Sequence, residues 1–163
     1  MTIFHFTGIF ALAGIVRAGI AHGEVAVTPV HVIDFPWFTS DFAHAGQSDW
    51  VGSIRSKLAL RLEVVFDQKD QQLARWRDYA KRLKLRADWY EELTGPNVAN
   101  NGRAWYVYRG VVPFDRVTCG YYHPCHERVT PMALRRAAEV IQMSPLRTRT
   151  TTLRQEGTQP AGI

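Results

Sequence analysis

The first 23 residues constrain the fold of this chain more than any other segment. They contain no acidic residue and a single arginine, Arg17, and residues 3–16 form a nearly unbroken apolar run. A helix needs roughly 20 mostly apolar residues to cross the hydrocarbon core of a membrane, and this segment is long enough. Gly14 and Ala18 form a pair of small residues at the spacing that lets a second helix approach closely. The sequence therefore predicts a transmembrane or membrane-associated helix over 1–23 that packs against a partner through Gly14 and Ala18.

Three other interpretations of this segment stay open. A secretory signal peptide would end in small residues, which 21–23 provide, but it would also begin with a positively charged stretch that is absent here. A mitochondrial presequence is acid-poor, as this segment is, but it carries several arginines. The third alternative is a buried core helix of a soluble domain.

Residues 49–93 carry the strongest helical pattern of the chain. Apolar residues recur there in steps of three and four, and no Gly or Pro follows Gly52 until Gly95-Pro96, which is typical of a helix end. We interpret 49–93 as one long amphipathic helix; the alternative is two antiparallel helices joined by the polar run 67–72. Arg61 is expected on the outer face of this helix. The predicted partner-facing stripe consists of Leu58, Leu62, Val65, Leu73, Trp76 and Leu83.

The rest of the chain predicts shorter elements. Thr130 and Pro131 are typical of a helix start, so a short helix is expected over 131–143. Residues 103–108 are aromatic and β-branched, which favours a strand. The predicted fold class is therefore mostly α, with a small aromatic strand region and extended segments. The expected segments are a membrane-associated helix (1–23), an extended aromatic linker (24–48), a helical domain (49–145) and an extended C-terminal tail (146–163).

The chain is moderately basic, with 20 Lys and Arg against 15 Asp and Glu and a net charge of +5. Basic residues are concentrated in 75–86, where Trp76 and Tyr79 lie between them, and again in 135–154. A basic surface with interleaved aromatics could follow phosphates and stack on bases, but it also suits anionic lipid or an acidic partner protein. Because Trp76 and Tyr79 follow the apolar pattern, core or partner contacts are favoured for them.

Two cysteines and two histidines lie within eight residues. These residue types bind zinc, so the zinc candidates are Cys119, His123, Cys125 and His126. Structural zinc sites usually draw their ligand pairs from two separated segments, so no bound metal is expected. A disulfide between Cys119 and Cys125 is sterically allowed and would indicate an oxidising compartment. Free thiols in a packed loop are the interpretation that we favour.

The sequence carries no recognisable catalytic signature. It has no Gly-rich phosphate loop, no Gly-x-Ser-x-Gly elbow and no His-Glu-x-x-His pair. We therefore expect a non-catalytic accessory or structural subunit of a large membrane complex, located in the mitochondrial inner membrane within a respiratory-chain or ATP-synthase assembly. No cofactor is expected, and the expected partners are other protein subunits and membrane lipid. The alternative function is an RNA-associated protein of a mitochondrial ribosome-like particle.

Overall fold

A seven-stranded antiparallel sheet is the main element of the fold. The computed structural model describes residues 1–28, 31–42, 58–94, 102–123 and 125–143. Helices and strands contribute about equally, so the predicted mostly α fold class is wrong. The strands are β1 (Thr2–Thr7), β2 (Glu24–Thr28), β3 (His31–Asp34), β4 (Trp37–Thr39), β5 (Leu60–Val65), β6 (Leu73–Arg75), β7 (Trp105–Tyr108), β8 (Val117–Tyr122) and β9 (Glu127–Val129). The α-helices are α1 (Leu12–Ala18), α2 (Trp76–Arg82), α3 (Ala87–Thr94) and α4 (Pro131–Met143).

The strand order in the sheet is β6-β7-β4-β1-β5-β8-β9, and every neighbouring pair is antiparallel. β1 is the middle strand and pairs with β5 over its full length, from Thr2 opposite Val65 to Thr7 opposite Leu60. β2 and β3 form a separate two-stranded hairpin. Apart from β8 and β9, neighbours in the sheet are therefore distant in sequence, and no periodicity within a single segment encodes this order.

The apolar N-terminal segment forms a central strand and a short helix. β1 is largely buried on both faces, and α1 has only seven residues. No helix in the described part of the chain is both long and apolar enough to cross a membrane, so the predicted transmembrane helix over 1–23 is wrong. A central strand that is covered on both faces has a nearly continuous apolar sequence, and a membrane helix has the same appearance.

The predicted long helix over 49–93 is also wrong. Its described part forms β5, β6, α2 and α3, while residues 49–57 lie outside the described residues. The polar run 67–72 does connect two elements, as the two-helix alternative expected, but those elements are the strands β5 and β6. In β5, every second residue is buried against the same face of the sheet. Apolar residues four apart satisfy a helical stripe and a strand face equally well, and this overlap explains the error.

The sheet has a different covering layer on each face. α1 and α4 pack together on one face, above the side chains of Leu60, Leu62 and Val64. On the opposite face, α2 and the β2–β3 hairpin pack at the β6–β7 end, where Trp76 and Val107 are buried in one cluster. The rest of this second face, on β1, β5, β8 and β9, carries the candidate site.

Two elements expected from the sequence are present. α4 spans Pro131–Met143, and the Thr130 hydroxyl caps it by accepting a hydrogen bond from the Ala133 N–H at 3.3 Å. β7 lies within the aromatic segment that was expected to form a strand. The described part of the predicted linker folds as β2, β3 and β4, whereas the tail over 146–163 lies outside the described residues.

Gly19 ends α1 at a position where the chain has no room for a side chain. Its φ is +86°, and a Cβ there would lie 2.6 Å from the carbonyl oxygen of Val112. That carbonyl accepts the main-chain hydrogen bond that joins Ile20 to Val112. In contrast, a Cβ at Gly14 would meet no atom within 4 Å, and Ala18 is exposed. The helix-packing role predicted for Gly14 and Ala18 is therefore not seen.

We expect Gly19→Ala to lower the free energy of unfolding by about 2 kcal/mol or more, because alanine disfavours a positive φ and its methyl group would meet the Val112 carbonyl. Gly14→Ala is the matched control within the same helix. Alanine at this open helical position should raise the free energy of unfolding by about 0.5–1 kcal/mol. Urea denaturation measures both variants, and equal effects would contradict the close approach at Gly19.

Candidate functional site

Four side chains form a row across the sheet. Phe6 lies opposite Arg61, Arg61 lies opposite Tyr121, and Tyr121 lies opposite Arg128. These residues belong to β1, β5, β8 and β9 in turn. Directly opposed residues of neighbouring strands lie on the same face of a sheet, about 5 Å apart. The fold therefore places one arginine on each side of Tyr121.

Arg61 is almost fully buried, with 4% of its surface exposed. The central carbon of its guanidinium lies 3.5 Å from the centre of the Phe42 ring and 4.6 Å from the centre of the Tyr121 ring. The rings of Phe4 and Phe6 are 5.8 and 6.0 Å away. One nitrogen, Nη1, donates a hydrogen bond to the Phe42 carbonyl oxygen at 2.7 Å. Burial lowers the pKa of Arg61, but a guanidinium remains protonated at neutral pH.

The opposite edge of the Arg61 guanidinium is buried and unpaired within the described part of the chain. Its Nε and Nη2 atoms are buried and have no hydrogen-bond partner among the described residues. These two nitrogens form the fork that can bind two oxygens of a carboxylate or a phosphate at once. Buried charged donors that stay unpaired are costly, on the order of a few kcal/mol. The expectation that Arg61 lies on an exposed outer face is therefore wrong.

Glu63 lies on the same face of β5 and is held by a network of its own. The hydroxyl groups of Thr118 and Tyr121 donate hydrogen bonds to its two carboxylate oxygens, at 2.8 and 3.2 Å. Burial alone would raise the pKa of Glu63, but these bonds and one from the Cys119 thiol outweigh burial and lower the pKa. Thr118 lies at a bulge in the pairing of β5 with β8, which brings its hydroxyl to Glu63. Glu63 is thus an anion with its own donors and does not pair with the Nε–Nη2 edge of Arg61.

The cysteine–histidine segment does not assemble a metal centre within the described residues. Cys119 is buried on β8 opposite Glu63, whereas His123, Cys125 and His126 are exposed near the turn between β8 and β9. The described part of the chain contains no group of three His, Cys, Asp or Glu side chains that could hold a metal ion. Both cysteines are free, so the candidate disulfide between Cys119 and Cys125 is not formed.

The residues of the predicted partner-facing stripe do not share a surface. Leu62 and Trp76 are buried in the core of this chain, on opposite faces of the sheet, and Val65 is exposed at the end of β5. The other three are spread over the fold, with Leu58 before β5, Leu73 at the start of β6 and Leu83 just after α2. The stripe predicted from helical spacing is therefore wrong.

His5 is a second buried polar residue and lies on the opposite face of β1 from the Arg61 row. Its Nδ1 donates a hydrogen bond to the Trp37 carbonyl oxygen at 2.8 Å, and its ring lies 5.4 Å from the Phe38 ring. Burial lowers the pKa of His5 from 6.5 to about 4, although the bond to Trp37 acts in the other direction. The imidazole is therefore neutral at pH 7, with its proton on Nδ1.

The candidate site was missed in the sequence because residues 49–93 were interpreted as a helix. In Leu60-Arg61-Leu62-Glu63-Val64, aliphatic and charged residues alternate, which is typical of a strand with one apolar and one polar face. That signal would have placed Arg61 and Glu63 on one face. Arg61 and Glu63 lie near Tyr121 and Arg128 only because of the strand order, which the local sequence does not predict.

Comparison of the chain with known family models, curated proteins and solved structures finds no match. The predicted assignment to a mitochondrial inner-membrane respiratory-chain or ATP-synthase assembly therefore has no support from a family or a relative. Its other basis, the transmembrane helix, is wrong. The chemistry around Arg61 is what remains to indicate a function.

Proposed function

We propose that this protein binds an anionic ligand, through a phosphate or carboxylate group that accepts hydrogen bonds from the unpaired Nε–Nη2 edge of Arg61. The observation that carries this proposal is the pair of buried Nε and Nη2 atoms, for which the described residues supply no acceptor. Bidentate, charge-assisted hydrogen bonds are among the strongest in proteins. The surrounding aromatic rings lower the local dielectric, which strengthens such bonds further. The proposal concerns binding and assigns no reaction.

Phe42 fixes the position of the Arg61 guanidinium. Its ring lies over the face of the guanidinium, and its carbonyl oxygen accepts the hydrogen bond from Nη1. An acceptor for Nε and Nη2 lies in the plane of the guanidinium, not over its face. Phe42 can therefore keep both contacts while an anion binds the Nε–Nη2 edge.

The variant Arg61→Met tests whether Arg61 binds an anion or only stabilises the fold. Methionine keeps an apolar stem of similar length among the four aromatic rings and removes the charge. Replacing a buried, partly unpaired charge by an apolar residue of similar volume is often neutral or stabilising, so we expect an unfolding free energy within about 1 kcal/mol of wild type, or higher. The same change should abolish the thermal stabilisation of the protein by added phosphate or acetate, because a ligand stabilises only a state that binds it.

Arg135→Met is the matched control for this experiment. Arg135 belongs to α4, on the other side of the sheet, where it is exposed and pairs with Asp115 at 2.9 Å. This variant should keep the anion response of the wild type. The proposal is contradicted if Arg61→Met is strongly destabilised but still responds to anions, or if neither anion stabilises the wild type.

A second candidate function is electrostatic binding of RNA along residues 75–86, which comprise α2 and its flanking residues, because the basic side chains of this segment are exposed. The exposed residues are Arg75, Arg77, Lys81, Arg82, Lys84 and Arg86. Trp76 and Tyr79, which could have stacked on bases, are instead buried in the core. RNA would therefore be held through its phosphates alone, with a steep salt dependence and little sequence preference.

A further inference from the structure

Arg128 extends the charged row to the edge of the sheet. It lies opposite Tyr121 on β9, two strands from Arg61, which corresponds to about 10 Å between the two Cα atoms. Arg128 is exposed, and the neighbouring Cys119 and Tyr121 side chains raise its pKa. The charge of Arg128 also helps to lower the pKa of Glu63. Its guanidinium therefore lies over the same patch of the sheet as the Arg61 site.

The charges on this patch do not cancel. Arg61 and Arg128 contribute two positive charges, and Glu63 contributes one negative charge that is hydrogen-bonded by Thr118 and Tyr121. The two cations stand on opposite sides of Tyr121. A single small acid on the Arg61 fork would contact Arg61 alone, and Glu63 would remain the anion that Arg128 acts on. A ligand with two acidic groups matches this spacing better than a ligand with one.

We infer that Arg128 is the second contact of the Arg61 site and that the ligand carries two acidic groups joined by a short bridge, as in a diphosphate or a dicarboxylate. The inference rests on the proposed function of Arg61 as an anion anchor. One acidic group binds the Nε–Nη2 edge of Arg61, and the other meets the Arg128 guanidinium. The bridge between them lies over the Tyr121 ring.

Isothermal titration of the full chain with two matched pairs of probes tests this inference. The pairs are phosphate with pyrophosphate, and acetate with malonate. In at least one pair, the double acid should bind at least tenfold more tightly than the single acid, because it adds a charge-assisted contact at Arg128. The pair that shows this advantage identifies the ligand as a diphosphate or a dicarboxylate.

Arg128→Gln should remove the advantage of the double acid and weaken the binding of the double acid more than that of the single acid, because the single acid makes its contact at Arg61. Binding of the single acid also verifies that this variant is folded. Arg135→Gln, on the other side of the sheet, should behave like the wild type.

The inference about Arg128 is wrong if the wild type binds single and double acids with equal affinity. It is also wrong if Arg128→Gln still binds the double acid more tightly. Neither result would contradict the proposed anion binding by Arg61. A wild-type protein that binds none of the four probes would overturn both the inference and the proposed function.

Discussion

Replacing Trp76 by alanine should lower the free energy of unfolding by about 3–5 kcal/mol, the usual range for a buried tryptophan. Trp76 has no exposed surface, and its ring centre lies 4.8 Å from that of Trp37 and 6.4 Å from that of Tyr90. It also packs in one cluster with Val25 and Val107. These neighbours come from four other elements of the fold, so no single element can shift to fill the cavity.

Trp76→Phe is the control for this truncation. The Nε1 donor of Trp76 is buried and has no partner among the described residues, so phenylalanine removes an unsatisfied group while keeping most of the ring. Removing the unsatisfied donor favours the folded state, whereas the smaller ring packs less completely. The net decrease in the free energy of unfolding should therefore be about 1 kcal/mol or less. Urea denaturation of both variants provides the comparison. An alanine variant with the stability of the wild type would contradict the core position of Trp76.

Acidification should destabilise the protein through His5. The pKa of His5 is about 4 in the folded chain, below its ordinary value of 6.5, so the unfolded chain binds a proton more readily. The contribution of His5 to stability is therefore complete above pH 6.5 and declines as the pH falls towards 4. Between pH 7.5 and pH 5, this residue alone should remove about 2 kcal/mol from the free energy of unfolding.

His5→Asn tests this acid sensitivity, because an amide N–H can still reach the Trp37 carbonyl but cannot titrate. We expect lower stability than wild type at pH 7.5, since the contact with the Phe38 ring is lost. The further loss between pH 7.5 and pH 5 should be about 2 kcal/mol smaller than in the wild type. A His5 variant with the full acid sensitivity of the wild type would show that another group is responsible.

The sequence correctly predicted those elements whose conformation is determined by residues within or next to the element. α4 was predictable because Thr130 and Pro131 favour a helix start whatever packs against the helix. β7 was predictable for a similar reason, since its aromatic and β-branched residues suit a strand. In both elements the deciding residues lie within or next to the element itself.

The central strands and the site could not be predicted in this way, because their identity depends on distant partners. The apolar segment of β1 is a strand because β5 pairs with it along its full length, and nothing between Thr2 and Thr7 encodes that partner. The candidate site needs Arg61 to meet Tyr121 and Arg128, which are separated from it by two or more intervening elements. Only the strand order brings them together.

The position of β1 in the middle of the sheet has a consequence for the chain as it leaves the ribosome. β1 emerges well before its principal partner, β5, which is complete only at Val65, and α4, which packs on α1, ends at Met143. Sheets that depend on pairing between distant strands form slowly, and their apolar strands stay exposed until the partner strands have paired with them. During synthesis, the apolar segment of β1 therefore stays unpaired by β5 for at least the time needed to make the chain as far as Val65.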